Sequence, residues 1–229
     1  SADDYKKLRN YYYSLLQLMD MIHYNSSVTK KVYESVFDLP NSCIVVITHS
    51  DIKDNRKGKD YSNDCLRIRY LGPQSGAKGY QLLNSALDKL WNVQQKFLLD
   101  VHFEPMEPAP YIKSHERYSY AELEKIFDET DVLVAPSIWY ETFGFTVLEA
   151  LSYGVPVIIS GNVGAKDILV QGAGTVIENI DAQKLFTTLQ NITPDKLRAM
   201  NEIIVDKQTI MQIEDMSRQI ETSCYGWKA

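Results

Sequence analysis

From Asp64 onward, short apolar runs alternate with segments whose apolar residues recur at helical spacing. This alternation is typical of βαβ units, in which crossover helices pack on a parallel sheet. The predicted strands are Leu66 to Leu71, Phe97 to Phe103, Val132 to Ala135, Val155 to Ile159 and Gly174 to Ile177. The predicted helices are Tyr80 to Val93, Tyr120 to Glu129, Phe145 to Tyr153, Lys166 to Val170, Ala182 to Leu189 and Pro194 to Ser217. The pattern predicts an α/β fold with a Rossmann-like parallel sheet flanked by helices.

The first 50 residues show a weaker pattern, that of a partial α/β segment. Helices are predicted at Tyr5 to Met19 and Val28 to Val36, and short strands at Met21 to Tyr24 and Cys43 to Thr48. Two short strands do not make a stable sheet by themselves. We therefore expect this segment to be the remnant of an N-terminal domain.

Residues 51–64 contain almost no apolar side chains, which is typical of a solvated linker. We accordingly divide the chain into an N-terminal remnant at 1–50, a linker at 51–64 and a ligand-binding Rossmann-like domain at 65–229. Ligands of open parallel sheets bind beyond the carboxyl ends of the strands. The loops that follow the strands are therefore the places to search for function.

The net charge, the cysteine content and the length of the apolar runs limit the classes of binding partner expected for this chain. The net charge is -6 and the pI is about 5.3, so no basic field is present to attract nucleic acid or an anionic membrane surface. The three cysteines are widely spaced and lack a C-x-x-C pattern, which argues against a disulfide framework and favours a reducing cytoplasm. No apolar run is long enough for a transmembrane helix.

The loop at 72–79 joins a predicted strand to a predicted helix and contains three glycines and one lysine. Glycine lets the backbone approach a ligand closely, and Lys78 at the start of a helix can neutralise a phosphate. The spacing G-x-x-x-G-x-x-G matches neither the dinucleotide fingerprint nor a P-loop. On the residues alone, a phosphate site and an ordinary surface turn both remain open.

The loop from Pro136 to Gly144 carries Glu141, and the helix predicted to begin at Phe145 places Glu149 in its second turn. The free N–H groups at the start of that helix form a natural site for a diphosphate. Glu149, one turn deeper, is placed to accept hydrogen bonds from the vicinal hydroxyls of a ribose. The alternative is that both glutamates are solvated surface residues.

The residues of these loops resemble a known family. The resembling stretches are Pro136-Ser137, Glu141, Phe143-Gly144, Leu148-Glu149-Ala150, Gly154 to Ile158 and, earlier, Lys78-Gly79. Together they are similar to the E-x7-E region of the retaining glycosyltransferases of family 4, the glycosyltransferase group 1 domain with the GT-B fold. The resemblance covers roughly residues 65–180. More loosely, residues 24–30 resemble the last strand and helix of the acceptor-side domain of such enzymes.

The resemblance implies a role for each matching residue. Lys78 would contact the donor phosphates, Glu141 the transferred sugar and Glu149 the ribose, while backbone N–H groups of the second loop hold sugar and diphosphate. The implied catalytic residues are Glu141 and Lys78. The implied donor-binding residues are Gly72, Lys78, Gly79, Thr142, Phe143, Gly144, Phe145, Thr146 and Glu149.

One position departs from the family pattern. The resemblance places an arginine directly after the glycine that ends the first strand, and this chain has Pro73 there. Arg67 and Arg69 lie on the preceding strand, where alternation directs both to one face without showing that they reach the site. The four histidines, which have no metal-like spacing, are His23, His49, His102 and His115. No metal and no cofactor beyond the donor substrate are expected.

The resemblance implies a glycosyltransferase that moves a sugar from a nucleotide diphosphate sugar to a glycan or lipid-linked acceptor, with retention and without a metal. It implies polysaccharide biosynthesis in the cytoplasm, no nucleic acid partner and peripheral membrane association through a missing domain. We expect this chain alone to bind the donor with weak or absent turnover. Two alternatives remain open: a GT-B-like nucleotide-sugar epimerase, and a noncatalytic interaction domain with the same fold, which the missing arginine favours.

Overall fold

The computed structural model describes residues 1–39 and 41–226. The strands are β1 (Ile22–Tyr24), β2 (Ser42–Ile44), β3 (Leu66–Tyr70), β4 (Phe97–Val101), β5 (Ile112–Ser114), β6 (Val132–Ala135), β7 (Val157–Ser160) and β8 (Gly174–Ile177). The helices are α1 (Ala2–Leu16), α2 (Ser27–Glu34), α3 (Tyr80–Trp91), α4 (Leu123–Asp128), α5 (Phe145–Ser152), α6 (Ala182–Gln190), α7 (Pro194–Lys207) and α8 (Ile213–Tyr225). Short 3-10 helices occupy Tyr120–Glu122 and Gly164–Ile168. The predicted α/β class is confirmed.

Strands β3 to β8 form one parallel sheet in the order β5-β4-β3-β6-β7-β8. From β3 the chain first builds toward one edge through β4 and β5, and then returns to place β6 on the other side of β3. The winding direction therefore reverses between β3 and β6, whose register pairs Ile68 with Val132. A reversal of this kind opens a crevice at the carboxyl ends of the two strands.

The sheet is buried on both faces, which is why its strands read as nearly continuous apolar runs. Val132 and Val134 of β6 enter one core cluster with α3 and α6, whereas Leu133 enters a second cluster with α4 and α5. All three of these side chains are at most 1% exposed. Helix α3 contributes Leu83 and Leu87 at helical spacing to the first cluster.

Three differences between the predicted and the observed elements stand out. Strand β5 was not predicted, because three residues next to a proline-rich loop are too short to show alternation. The segment predicted as a helix at 166–170 is the 3-10 helix Gly164–Ile168. The helix predicted from Pro194 to Ser217 is wrong as one element, because it is divided into α7 and α8.

The division occurs at Gln208, whose backbone is extended at ψ 123. The buried side chain of Gln208 donates to the carbonyl of Ile168 at 2.8 Å and accepts from the N–H of Val170 at 3.1 Å. These bonds satisfy backbone groups of a distant loop. Tertiary contacts therefore end α7 where helical propensity alone would continue it.

The N-terminal segment forms a small parallel sheet of β1 and β2, and α2 is one of the elements by which this segment contacts the larger domain. Ser26 is the N-cap of α2, and its hydroxyl also donates to the carbonyl of Thr142 at 2.7 Å. The hydroxyl of Ser27 donates to Asp167 at 2.6 Å. These contacts place α2 beside the loop that carries Glu141.

Residues 51–64 contain no helix or strand, yet the segment is anchored along the larger domain. Ile52 is 5% and Tyr61 is 3% exposed. Arg56 donates to the carbonyl of Ile204 at 2.9 Å, and Lys59 donates to that of Phe127 at 2.5 Å. Its role as a linker and the three-part division of the chain stay predictions, and residues 227–229 of the third part lie outside the described residues. No helix in the described ranges is both long and apolar enough to cross a membrane.

Candidate active site

A cavity of about 180 Å³ opens at the reversal point between β3 and β6. The ends of both strands form its floor, and the loops that follow them form its walls. The predicted site residues that line it are Gly72, Lys78, Glu141, Gly144, Phe145 and Thr146. The two loops singled out in the sequence therefore meet in one cavity.

Backbone hydrogen bonds join the two loops directly. The carbonyl of Ala77 accepts from the N–H groups of Ile138 and Trp139 at 3.0 and 2.9 Å. The hydroxyl of Ser137 donates to the same carbonyl at 3.2 Å. The walls of the cavity are therefore fixed relative to one another before any ligand arrives.

Glycine is required where the first loop turns into α3. Gly79 has φ +78, and a Cβ there would stand 2.0 Å from the carbonyl oxygen of Pro136. Gly72 is constrained differently, since its Cβ would meet the hydroxyl of Tyr70 at 2.5 Å. Gly79 thus allows two backbone segments to approach closely, and Gly72 allows the Tyr70 ring to do so. Of these two glycines, Gly72 lines the cavity and Gly79 does not.

Tyr70, the last residue of β3, supports the first loop from below. Its hydroxyl donates to the carbonyl of Pro73 at 2.8 Å and lies 3.3 Å from that of Lys78. Burial, together with the negative charge of Glu141, raises the pKa of Tyr70, so its hydroxyl stays a donor across the physiological range. Nothing in the sequence distinguished Tyr70 from other strand residues.

Replacing Tyr70 by phenylalanine tests this support. We expect the substitution to lower the free energy of unfolding by about 1 kcal/mol, because the half-buried carbonyls of Pro73 and Lys78 lose their donor. Urea denaturation measures the change. Tyr140, whose side chain is 55% exposed on the second loop, offers the matched control, and Tyr140→Phe should leave the midpoint unchanged. Equal effects of the two substitutions would contradict the role assigned to Tyr70.

Lys78 and Glu141 form an ion pair inside the cavity. The ammonium nitrogen of Lys78 lies 2.9 Å from Oε2 of Glu141, and the two side chains are 38% and 17% exposed. Among the described residues that line the cavity, Lys78 carries the one basic side chain. A positive group held by a neighbouring carboxylate, yet open to solvent, is suited to bind an anion that enters from above.

The second loop is fixed from both sides before it becomes α5. Glu141 pairs with Val163, its N–H donating to the carbonyl of Asn162 at 2.9 Å. Gly144 then adopts φ +109 as the N-cap residue of α5. The first turn of α5 brings Phe145 and Thr146 to the cavity. N–H groups of a first helical turn have no carbonyl partner within the helix and attract negative charge.

Thr142 and Phe143 do not line this cavity. The carbonyl of Thr142 accepts from Ser26 at 2.7 Å and from Thr29 at 3.2 Å. Phe143 is 1% exposed in the core, and its carbonyl accepts from the N–H of Ala165 at 2.7 Å. Their roles in donor binding stay predictions, and their observed contacts hold the loop in place.

Glu149 lines a neighbouring cavity of about 530 Å³ rather than the one that contains Lys78. Its side chain is 8% exposed, and Oε1 accepts from the hydroxyl of Tyr120 at 2.6 Å. Nε2 of His49 lies 3.7 Å from the same oxygen and 2.6 Å from the hydroxyl of Tyr120. The predicted convergence of both glutamates and the lysine on one pocket is therefore realised for Glu141 and Lys78 only.

Tyr120 and His49 were not predicted as site residues. Burial and the hydrogen bond to Glu149 raise the pKa of Tyr120, so the phenol is a hydrogen-bond donor to this carboxylate. The two residues lie 71 positions apart in the sequence. No local motif identifies such a pair, because the relative placement of their segments depends on tertiary packing.

Arg67 and Arg69 share one face of β3, as the alternation predicts, and they pair with Asp100 of β4. Arg67 donates to both carboxylate oxygens of Asp100, at 2.8 and 3.0 Å, and a nitrogen of Arg69 lies 3.8 Å from Oδ1. His115 adds a contact of 2.6 Å to Oδ1. Neither arginine lines the cavity, so neither takes the place of the arginine that the resemblance implies where this chain has Pro73.

Within the described ranges, no group of three or more His, Cys, Asp and Glu side chains is arranged to hold a metal ion. His102 and His115 stack with ring centroids 5.2 Å apart. His49 contacts Tyr120, and His23 lies 2.7 Å from the carbonyl oxygen of Val45. The histidines take part in local hydrogen-bonding networks.

Comparisons with known proteins bear on the family and the fold of this chain. Residues 110–205 match the model of the family described as glycosyl transferases group 1. The sulfoquinovosyl transferase SQD2 of Arabidopsis thaliana is 29% identical over 169 residues, which are 71% of this chain and 31% of that protein. This chain therefore spans about a third of the length of that curated relative.

Two solved structures show the same fold. Sucrose-phosphate synthase from Thermosynechococcus elongatus superposes with a TM-score of 0.76 at 18% identity, over 96% of this chain and 61% of that one. Anabaena HepE, in complex with UDP and glucose, superposes with a TM-score of 0.70 at 12% identity, over 96% of this chain and 67% of that one. The resemblance to the glycosyltransferase group 1 domain is confirmed over residues 110–205, which include the second loop, and the α/β fold is of the GT-B type.

Proposed function

We propose that this chain is the donor-binding part of a retaining glycosyltransferase that uses a nucleotide diphosphate sugar. The observation that carries the proposal is the Lys78–Glu141 pair, at 2.9 Å, beside the first turn of α5 in the reversal-point cavity. Lys78 and the N–H groups of α5 supply positive charge for a diphosphate, and Glu141 supplies an acceptor for sugar hydroxyls. The UDP and glucose bound by HepE make uridine diphosphate the first ligand to test.

The chemistry asked of the protein is mainly electrostatic. As the bond between the anomeric carbon and the diphosphate oxygen lengthens, negative charge grows on the departing diphosphate. Lys78 and the start of α5 then stabilise the transition state more than the bound donor, which accelerates transfer. The acceptor hydroxyl attacks from the face that the diphosphate leaves, which gives retention. Glu141 orients the sugar and forms no covalent intermediate.

Glu149 is proposed to bind the ribose of the donor. It lies one helical turn beyond Phe145 on α5, so a diphosphate at the start of the helix leaves the ribose to extend toward the larger cavity. Its buried carboxylate already accepts from Tyr120 at 2.6 Å. A ribose hydroxyl would therefore replace or join the phenol as a donor. If it replaces the phenol, the free energy of donor binding gains only the difference between the two hydrogen bonds.

The role of Glu149 is tested by Glu149→Ala. We expect binding of uridine diphosphate to weaken by about 1.5 kcal/mol, roughly 10-fold, which is the lower end for a bond to a charged group because Tyr120 is displaced. Titration calorimetry gives the affinity, and circular dichroism verifies the fold. Glu202→Ala, on the exposed face of α7, is the matched control. If Glu149→Ala leaves the affinity for uridine diphosphate unchanged, this carboxylate does not bind the ribose.

The identity of the acceptor and the setting of the reaction are proposals from the resemblance. They comprise a glycan or lipid-linked acceptor, polysaccharide biosynthesis, a cytoplasmic location and membrane association through another domain. Because this chain spans 61% of the sucrose-phosphate synthase structure, we expect it to bind donor while showing little or no turnover. The anomeric configuration of the product, read by NMR from a protein that also contains the acceptor side, tests retention. An inverted product would refute it.

A noncatalytic interaction domain is the second candidate, and Pro73 is the observation that favours it. Neither Arg67 nor Arg69 compensates, since both are paired with Asp100. Calorimetry with uridine, guanosine and adenosine diphosphates separates the two functions. Binding of any one of them supports the donor site. Failure of all three at millimolar concentration would leave only the interaction domain.

A further inference from the structure

Two cysteines from opposite ends of the sequence meet in the structure. Cys43 lies in β2 and Cys224 in α8, 181 positions later, and their sulfur atoms are 2.7 Å apart. All three cysteines of the chain are free thiols. Bonded sulfurs stand about 2 Å apart. The pair is therefore close enough for small side-chain rotations to bring the sulfurs to bonding distance.

The contact follows from the packing of two regular elements. Cys43 is paired with His23 in the small sheet of β1 and β2. Further along the same segment, the N–H of Thr48 donates to the sulfur of Met216 in the first turn of α8, at 3.4 Å. Helix α8 therefore lies along residues 43–48 with contacts near both of its ends. Its position does not depend on the cysteine contact alone.

We propose that Cys43 and Cys224 are a redox-sensitive crosslinking site, at which a low-molecular-weight disulfide oxidises the two thiols to an intramolecular disulfide that ties α8 to β2. The site lies outside the Lys78–Glu141 cavity, and the crosslink is a property separate from the proposed donor binding. Both thiols are partly exposed, so a small oxidant has access to them. The third cysteine, Cys65, precedes β3 and serves as an internal control.

The exchange proceeds in two steps. One protein thiolate attacks a sulfur of the small disulfide, forms a mixed disulfide and displaces a small thiolate. The second protein thiolate attacks the protein sulfur of the mixed disulfide and displaces the other small thiolate. The protein sulfurs lose two electrons, the small disulfide gains them, and the two thiol protons end on the released thiols.

The surroundings of Cys43 determine how the test is run. Burial and the hydrogen bond with Cys224 raise the pKa of the Cys43 thiol to about 11, against a smaller opposing effect of the Lys30 ammonium. The thiol form of Cys43 therefore dominates at neutral pH, and attack by Cys43 is slow there because the thiolate is the attacking species. Mildly alkaline conditions shorten the experiment without changing its product.

The test is incubation of the folded chain with oxidised glutathione. We expect the titratable thiols of the Cys65→Ser variant to fall from two to none, its intact mass to fall by two hydrogens, and a proteolytic map of the unaltered chain to link the peptides of Cys43 and Cys224. Because the bond closes a loop of most of the chain, Tm should rise on the order of 5–15 °C. Reduction should reverse each change.

The variants separate the proposed bond from adventitious oxidation. Cys65→Ser should form the crosslink as the unaltered chain does, whereas Cys43→Ser and Cys224→Ser should each retain glutathione on the remaining partner. Any of three results would overturn the proposal: persistent thiols at Cys43 and Cys224, glutathione retained on either of these two residues in the unaltered chain, or a bond that includes Cys65 or joins two molecules. A crosslink that forms only in denaturing urea would overturn it as well, because it would not depend on the folded contact.

Discussion

Replacement of Lys78 by alanine is expected to weaken binding of a nucleoside diphosphate by about 3 kcal/mol, on the order of 100-fold. Two effects add in the same direction. The diphosphate loses the basic side chain of the cavity, and the carboxylate of Glu141, 17% exposed, is left without the ammonium that stood 2.9 Å away. The uncompensated carboxylate then repels the incoming anion.

The measurement is titration calorimetry with uridine diphosphate at several salt concentrations. Affinity of the unaltered chain should fall as salt screens Lys78, and the Lys78→Ala variant should show a shallower salt dependence. Lys57→Ala is the matched control, since Lys57 also pairs with a carboxylate, Asp128 at 2.7 Å, and does not line the cavity. Equal affinity of the Lys78→Ala variant and the unaltered chain would refute the proposed site.

The largest effect on stability is expected from Asp100→Ala, which should lower the free energy of unfolding by about 3–5 kcal/mol. The carboxylate of Asp100 is fully buried and accepts from Arg67 and His115, while Arg69 lies beside it with 2% of its side chain exposed. Removing the carboxylate leaves the buried guanidinium of Arg69 without its counter-charge. Such a loss corresponds to a Tm lower by roughly 10 °C or more in a chain of this size.

The same group makes stability depend on pH. Burial acts to raise the pKa of Asp100, but hydrogen bonds from Arg67 and His115 together with the charges of Arg69 and Arg67 outweigh burial and hold the pKa below its usual value. A lowered pKa means that the folded state favours the charged form, so the stabilisation is present above the ordinary carboxyl range. It is lost as pH falls through the lowered pKa.

Urea denaturation at neutral and acid pH measures both effects. The difference between the unaltered chain and Asp100→Ala should be full at neutral pH and should shrink in acid. Asp195→Ala is the control, because Asp195 also pairs with an arginine, at 2.8 Å, with 92% of its side chain exposed. It should leave stability unchanged. A small effect of Asp100→Ala at neutral pH would show that Arg69 finds other partners.

Local sequence pattern was sufficient to predict most strands and helices of the large domain. Strands β6 and β8 were predicted to the residue, and β3, β4 and β7 within two residues at each end, because each has a short apolar run between turn residues. The errors occur where a distant contact decides the outcome. Gln208 ends α7 because its amide satisfies a loop 40 positions away, and no helical propensity encodes that bond.

The candidate site was predictable in part for the same reason. Loops that follow parallel strands gather at one edge of the sheet, so the sequence pattern predicts that Lys78 and Glu141 lie near each other. Glu149 was assigned to the same pocket from its place on the helix. Its actual partners, Tyr120 and His49, come from two other segments, and only packing brings those segments to α5.

Periodicity and turn residues act over a few positions, so they were sufficient to predict the α/β class, most strands and helices, and the two loops that carry candidate chemistry. Packing between distant segments places β6 beside β3, Glu149 at a separate cavity, and Cys43 against Cys224. These are contacts between residues far apart along the chain. They depend on strand order and on which faces are buried together, and both emerge only when the whole core packs.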